Sequence, residues 1–258
     1  MDRTKPIRYE ILIPAGNPTA LVWDENFNLL EKQNINDEIL AKHSFVEQVG
    51  FIKPSKFKLT MAGGEVCVNA LRSAAFCLMN ELNLDFVDIN MNGEIYSCGR
   101  DENGIFVKAK FSKNFEISHL DDLNTLVNLG DIIHIVNFKN LEFNNGDEYK
   151  NFAFLELKRR NLLDLKASGF INCTCKNDQI LIRPVVFVRD IKTLFYESAC
   201  GSGSIATALS LNLRGYFLDK YTITQPSGKD LVVEIFKNAQ EFLGFKISGD
   251  VKNARKTF

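Results

Sequence analysis

Two cysteines stand where thiol chemistry could occur. Cys67 lies in residues 61–76 and Cys200 in residues 196–209, and each has an apolar run before it and a helix-periodic run after it. This pattern predicts that each thiol lies at a helix N-terminus, where free N–H groups and the helix dipole lower a thiol pKa and attract a carboxylate. About half of the 258-residue chain separates the two cysteines. Two activated thiols, one per half, would suit a two-base proton exchange.

The residues alone leave a second role open for these thiols, because a buried cysteine is often inert packing. The other cysteines are Cys77, Cys98, Cys173 and Cys175, and no Cys-x-x-Cys pair occurs. The chain has three histidines, so few residues are available as zinc ligands. No lysine motif typical of pyridoxal enzymes is evident. We therefore expect free thiols, no metal and no cofactor.

Composition bounds the class of protein. Hydrophobic residues make up 45% of the chain and charged residues 24%, which allows one large or two modest domains. The net charge of −1 offers no basic surplus for nucleic acid or an anionic membrane. Residues 1–6 begin no signal peptide, so we expect a cytoplasmic protein. Arg72 and Arg189 are interpreted as surface residues or as ion-pair partners between halves.

The order of predicted elements repeats along the chain. In both halves a strand leads to a cysteine turn, a helix, a strand, a glycine turn and further strands. Additional helices are predicted at residues 35–45 and 149–164, and the polar stretch 112–124 resembles a boundary. We predict an α/β fold of α+β type with pseudo-symmetric halves at 1–118 and 119–258, the last strand being free to cross back. Each half should wrap a curved, mainly antiparallel sheet around one helix, so that the cysteines meet at the cleft.

Several motifs resemble the diaminopimelate epimerase family of cofactor-independent amino-acid racemases. The motifs are Gly16-Asn17, Cys67-x-Asn69, Ala199-Cys-Gly-Ser-Gly203 and Gln225-Pro-Ser-Gly228. Within that family the chain is most similar to the histidine racemases of opine metallophore biosynthesis. The segments that carry this second resemblance are Glu47-Gln-Val-Gly-Phe-Ile52, Gly64-Glu-Val-Cys67, Glu197-x-x-Cys200 and His134-Ile-Val.

The resemblance implies a diaminopimelate epimerase-like fold and a racemase that uses Cys67 and Cys200 as its catalytic acid and base. It also implies a set of substrate-binding residues: Asn17, Glu47, Val68, Asn69, His134, Glu197, Gly201 and Ser202. The expected partner is a small amino-acid substrate, and a homodimer is allowed; no nucleic acid or membrane is expected.

The residues themselves leave some of these roles open. Glu47 lies inside an apolar run, where an unpaired carboxylate is costly, which favours binding of an ammonium group or a substrate side chain. Glu197 could cap the helix that follows or contact the substrate. His134 in a strand is more often a core histidine than a ligand.

Two departures from the parent family bear on the substrate. Val68 and Ala70 replace two glycines of that family's first cysteine motif, and residues 190–197 lack the arginine that precedes its second cysteine. Without this bidentate partner for a distal carboxylate, histidine is favoured over diaminopimelate. The alternatives are a diaminopimelate epimerase, an isomerase of the phenazine-biosynthesis type with a catalytic Glu47, and a non-catalytic amino-acid-binding protein.

Overall fold

A computed structural model describes residues 7–176, 179–239 and 241–254. Residues 1–6, which bear on the signal-peptide expectation, lie outside this part of the chain. The helices are α1 (Leu29–Lys42), α2 (Val68–Leu82), α3 (Gly146–Arg159) and α4 (Gly201–Leu213). The strands of the first half are β1 (Tyr9–Pro14), β2 (Thr19–Trp23), β3 (Gln48–Lys53), β4 (Lys58–Met61), β5 (Phe86–Met91), β6 (Glu94–Asp101) and β7 (Gly104–Lys110). The remaining strands are β8 (Glu116–His119), β9 (Asn124–Asn128), β10 (Ile133–Asn137), β11 (Ala167–Lys176), β12 (Gln179–Val188), β13 (Thr193–Tyr196), β14 (Tyr221–Thr224), β15 (Asp230–Lys237), β16 (Phe242–Gly249) and β17 (Val251–Asn253).

The same strand pairing occurs twice. In the first half β2 runs parallel to β3, β3 antiparallel to β4, β4 parallel to β5, and β5, β6 and β7 form an antiparallel meander. In the second half β10, β11, β12, β14, β15 and β16 repeat this series of directions. The repeated series of directions shows that the two halves are similar, and most of the pairings are antiparallel. The predicted fold is therefore confirmed.

Two pairings join the halves. Strand β7 pairs antiparallel with β16, and β17 pairs antiparallel with β1, with Leu12 opposite Asn253. The last strand therefore returns to the first half. The boundary drawn at residue 118 falls inside β8, which pairs with β9 of the second half. The division into 1–118 and 119–258 remains a proposal.

The helices that follow the cysteines occupy the centre of each half. Helix α4 is almost entirely buried. Three of its buried hydroxyls bond within the helix: Ser204, Thr207 and Ser210 each donate to the carbonyl four residues earlier, at 2.7–2.8 Å. Within the described residues, no helix has the combination of length and apolar character needed to cross a membrane.

The other helices begin earlier than the periodicity predicts. Helix α1 begins at Leu29 because Asn28 and Glu31 form a capping box, with bonds of 3.0 and 2.8 Å. Helix α3 begins at Gly146 because Asn145 accepts a bond from the N–H of Glu148 at 2.9 Å. Residues 28–30 and 145–148 are exposed, so the apolar periodicity of the buried face begins only after them.

The interpretation of Arg72 as a surface residue is wrong. Its side chain is fully buried and donates to the carbonyl oxygens of Ile105 at 3.1 Å and Asp250 at 2.7 Å. Arg189 lies at the surface, where it pairs with Asp190 at 2.8 Å.

Candidate active site

Each cysteine is the N-cap of a central helix. The Cys67 sulfur accepts a hydrogen bond from the N–H of Ala70 at 3.3 Å, and the Cys200 sulfur accepts one from Gly203 at the same distance. Their backbone angles agree closely, with φ/ψ of −123°/110° for Cys67 and −130°/109° for Cys200. A thiol that caps a helix in this way has its sulfur fixed beside the first turn.

The two helix starts meet between the halves. Asn69 donates to the carbonyl oxygen of Ala199 at 2.9 Å, and a Cβ atom placed on Gly201 would lie 2.7 Å from the Cβ of Val68. Both cysteines line one cavity of about 40 Å³.

Three carboxyl groups line the same cavity. Burial raises the pKa of Glu47 and of Glu65 to about 7, and that of Glu197 to about 8. Hydrogen bonds from Ser198 oppose the shift at Glu47. Among the described residues, no lysine, arginine or histidine lines this cavity. The site is therefore suited to a ligand that brings positive charge or hydrogen-bond donors.

The surroundings of both thiols raise their pKa values. Burial raises the pKa of Cys67 and of Cys200 well above the usual value, and the nearby carboxyl of Glu197 raises both further. The bonds from Ala70 and Gly203 lower each pKa, but by less than burial raises it. The expected lowering by the helix start is thus wrong for the net pKa, because desolvation of a thiolate outweighs the helix amides.

A chain of hydrogen bonds connects Cys67 to the second half. The Cys67 thiol donates to Oε1 of Gln48 at 2.6 Å, and the Gln48 amide donates to Asn17. Asn17 donates in turn to Glu47 at 2.5 Å. Glu47 also accepts from the backbone N–H of Ser198 at 3.1 Å and from its hydroxyl at 2.5 Å. The carboxylate of Glu47 therefore bridges the halves next to both helix starts.

The surroundings of Cys200 differ from those of Cys67. Its thiol interacts with the carboxyl of Glu197, and its sulfur lies 3.5 Å from the hydroxyl of Ser202. Behind that hydroxyl, Nε2 of His134 lies 2.9 Å away. His134 is fully buried, does not line the cavity, and has its pKa lowered to about 3 by burial, so its ring is neutral. It reaches the site only through Ser202.

Of the residues expected to bind substrate, Glu47, Val68, Asn69, Glu197, Gly201 and Ser202 line the cavity, whereas Asn17 lies behind Glu47 and Gln48. Sequence reasoning missed Gln48, Glu65, Ser198 and Gln225 as members of the site. Gln225 accepts the backbone N–H of Cys200 at 3.0 Å. One signal was available: Glu65 and Ser198 both stand two positions before a cysteine. No described group of three His, Cys, Asp or Glu side chains could hold a metal ion.

The fold occurs in solved structures of racemases and epimerases. A predicted epimerase from Pseudomonas aeruginosa has a TM-score of 0.66 at 13% identity, covering 96% of this chain and 97% of that one. A probable proline racemase from Agrobacterium radiobacter K84 has a TM-score of 0.62 at 10% identity, covering 96% and 91%. A phenazine biosynthesis protein from Enterococcus faecalis has a TM-score of 0.61 at 16% identity, covering 96% of each chain. The chain therefore has the fold that these racemase, epimerase and phenazine-biosynthesis structures share.

Sequence comparison is more specific. The family model described as the histidine racemase CntK N-terminal domain matches residues 6–256. Two histidine racemases from strains of Fusobacterium nucleatum subsp. nucleatum are 31% and 30% identical. The first match covers 83% of this chain and 84% of the relative, and the second covers 88% and 89%. The chain belongs to the histidine racemase family and is an amino-acid racemase, as the resemblance implied.

Proposed function

We propose that this protein interconverts L- and D-histidine by moving the α-proton between Cys67 and Cys200, without pyridoxal phosphate or metal. One observation carries the proposal: both cysteines cap central helices with the same geometry and line one cavity. The names of the curated relatives support histidine as the substrate.

The helix starts provide the seat for the substrate carboxylate. The first amides of a helix have no partner within it, and here two such starts meet at Val68 and Gly201. Their combined dipoles attract one carboxylate and stabilise the charge that builds on it when the α-proton leaves.

The lining of the cavity favours histidine over diaminopimelate. A distal carboxylate would enter a space lined by Glu47, Glu65 and Glu197, with no lysine or arginine among the described residues of its wall. An imidazole ring offers N–H groups to these acceptors instead. Unpaired like charges in a buried site are costly, so the second carboxylate would be rejected.

The proposed mechanism requires that one of the two cysteines is a thiolate at the start of each turnover. Burial raises both thiol pKa values, so one thiol must lose its proton before it can act as a base, and the carboxyl of Glu197, which interacts with the Cys200 thiol, can accept this proton when it is ionised. The substrate ammonium group brings a positive charge that lowers the thiol pKa values. The thiolate then takes the α-proton from one face while the other thiol donates its proton to the opposite face. The reverse reaction begins from the opposite protonation state, so the two thiols share one proton.

Deuterium exchange tests this mechanism. In D2O with a chelator and no added pyridoxal phosphate, L- and D-histidine should each become deuterated at the α-carbon and racemise, followed by NMR and circular dichroism. Cys67→Ala and Cys200→Ala should each lower racemisation by about 10²-fold or more, since each removes an acid–base group. Each variant should retain α-proton exchange of one enantiomer only.

Cys77→Ala is the matched control, because Cys77 lies in α2 but does not line the cavity. Its racemisation should stay within about threefold of wild type, equivalent to less than 1 kcal/mol. Racemisation near the wild-type rate in either active-site variant would rule out the two-thiol mechanism. A higher kcat/KM for diaminopimelate than for histidine would contradict the proposed substrate.

A further inference from the structure

Among the described residues that line the cavity, Glu65 is the carboxyl with a buried oxygen that has no hydrogen-bond partner. Its side chain is 7% exposed and lines the cavity, and its Oε2 atom is buried with no hydrogen-bond partner. By contrast, Glu47 is held by Asn17 and Ser198, and Glu197 interacts with the Cys200 thiol. A buried oxygen without a partner is costly, and such atoms are rare in folded proteins. The free oxygen of Glu65 therefore points to a ligand donor.

The turn before Glu65 is shaped to hold this carboxyl in place. Gly64 has a φ of +72°, in the left-handed region that favours glycine. A Cβ atom on Gly63 would lie 2.7 Å from Oε2 of Glu65 and 2.4 Å from Cγ1 of Val188. Asn92 donates to the carbonyl oxygen of Gly64 at 2.8 Å and fixes the turn. These contacts place the carboxyl directly beside an apolar wall.

That wall belongs to the second half. Ile132, Val186 and Val188 form a buried apolar cluster with Cys200, and Ile191 packs against it. All four aliphatic residues line the cavity that contains Glu65. Aliphatic walls with one acceptor beside them are complementary to a flat heterocycle, which has apolar faces and an N–H at its edge.

The other unpartnered atoms of the cavity lining have the same character. Asn36 and Asn69 each carry a buried Oδ1 atom without a partner. No described side-chain N–H or hydroxyl of the lining residues is left buried and unpartnered. The unpartnered buried side-chain atoms of the lining are therefore all acceptors, which matches a ligand with an ammonium group and a ring N–H.

We propose that Glu65 determines specificity by accepting the ring N–H of the substrate's heteroaromatic side chain, while Ile132, Val186, Val188 and Ile191 contact the ring faces. This assignment rests on the proposed racemisation of histidine and deepens it. In this assignment Glu65 binds the side chain of the substrate, whereas Cys67 and Cys200 transfer the α-proton.

The two ring-methylated isomers of histidine test this role. A methyl group on the nitrogen that faces Glu65 removes the donor, so wild type should prefer histidine to that isomer at least tenfold in kcat/KM, as for one charged hydrogen bond. In Glu65→Gln and Glu65→Ala the KM for histidine should rise about tenfold, and the preference over that isomer should shrink to within about threefold. The matched control is Glu116→Gln, at an exposed position on β8. This variant should have the KM for histidine and the preference over the methylated isomer that wild type has.

The possible outcomes separate the two proposals. If wild type racemises histidine and the Glu65 variants keep its KM and the discrimination against methylated isomers, the assignment of Glu65 is overturned and the racemase remains. A fall in kcat alone, with KM and discrimination unchanged, overturns it equally. If wild type does not racemise histidine, the proposed function fails. Calorimetric binding of histidine and its methylated isomers to wild type and Glu65→Gln then decides the role of Glu65, with equal discrimination by both proteins overturning it.

Discussion

The two thiols share one local geometry, and their pKa values follow from what surrounds them. The amides of Ala70 and Gly203 bond to Cys67 and Cys200 at equal distances, yet both thiol pKa values are raised, because burial dominates. The Glu197 carboxyl adds to the effect on both. In the proposed mechanism the ammonium group of a bound substrate opposes these shifts, so a thiolate forms more readily with substrate than without it.

The raised pKa of Glu65 makes stability depend on pH. Its pKa is about 7 in the folded protein against 4.5 ordinarily, so the folded state binds the proton more tightly than the unfolded state. The resulting stabilisation is full below pH 4.5 and is lost as the pH rises towards 7. Between pH 5 and 8 the free energy of unfolding of wild type should fall relative to Glu65→Gln by about 2–3 kcal/mol.

Chemical denaturation at several pH values measures this difference. Glu116→Gln, which changes an exposed carboxyl, should follow wild type at each pH. Parallel curves for wild type and Glu65→Gln would show that Glu65 is ionised in the folded protein throughout this range.

The close approach of the first turns of α2 and α4 depends on the pairing of a large residue, Val68, with a small one, Gly201. Gly201 has room for no side chain, because an added Cβ would lie 2.7 Å from the Cβ of Val68. Val68 replaces a glycine of the diaminopimelate epimerases, so one bulky residue faces one glycine at the contact of the helix starts. Asn69 then bonds across to Ala199. This contact lies next to both thiols, since Cys67 and Cys200 cap the two helices.

Substitution of Gly201 tests this dependence. Gly201→Ala should destabilise the protein by about 1–3 kcal/mol through overpacking, although alanine is the better helix former. It should also lower kcat for racemisation by moving the thiols apart. Adding Val68→Gly should recover much of both losses, giving a favourable coupling energy in a double-mutant cycle measured by denaturation and circular dichroism. Additive effects of the two substitutions would show that the helices separate without cost.

At the scale of the whole molecule, the buried Arg72 connects segments that lie far apart in the chain. Arg72 in α2 donates to Ile105 of β7 and to Asp250, the residue that joins β16 to β17. Burial lowers its pKa to about 10, so it remains charged at neutral pH. The same side chain thus ties the helix of Cys67 to the strand that pairs with β16 and to the segment that returns to β1.

Removing this tie should loosen the return of the last strand. Arg72→Met should lower the free energy of unfolding by about 3 kcal/mol or more, since two charge-assisted hydrogen bonds are lost and their carbonyl groups are left buried. Amide hydrogen exchange should increase first in β17 and β1. Arg189→Met, which removes an exposed ion pair, should change stability by less than about 0.5 kcal/mol. Equal stability of both variants would show that Arg72 is dispensable.

The sequence by itself determined the features that depend on neighbouring residues. The apolar periodicity after Cys67 and Cys200 placed both thiols at helix starts, and the repeated order of elements gave two similar, mainly antiparallel halves. The early start of α1 was missed because its capping box involves Asn28 and Glu31, which stand outside the apolar pattern. Capping and periodicity depend on residues close together in the sequence, so the sequence contains most of what fixes where helices and strands begin.

Only the tertiary structure decided the protonation of the thiols, the bridging role of Glu47, the free oxygen of Glu65 and the position of His134 behind Ser202. Each of these depends on groups from distant segments: Ser198 lies far along the chain from Glu47, and Val188 far from Glu65. Desolvation depends on all the atoms that surround a group in three dimensions. A local sequence pattern therefore shows where a titratable residue lies, but its charge state follows from the packing of both halves around it.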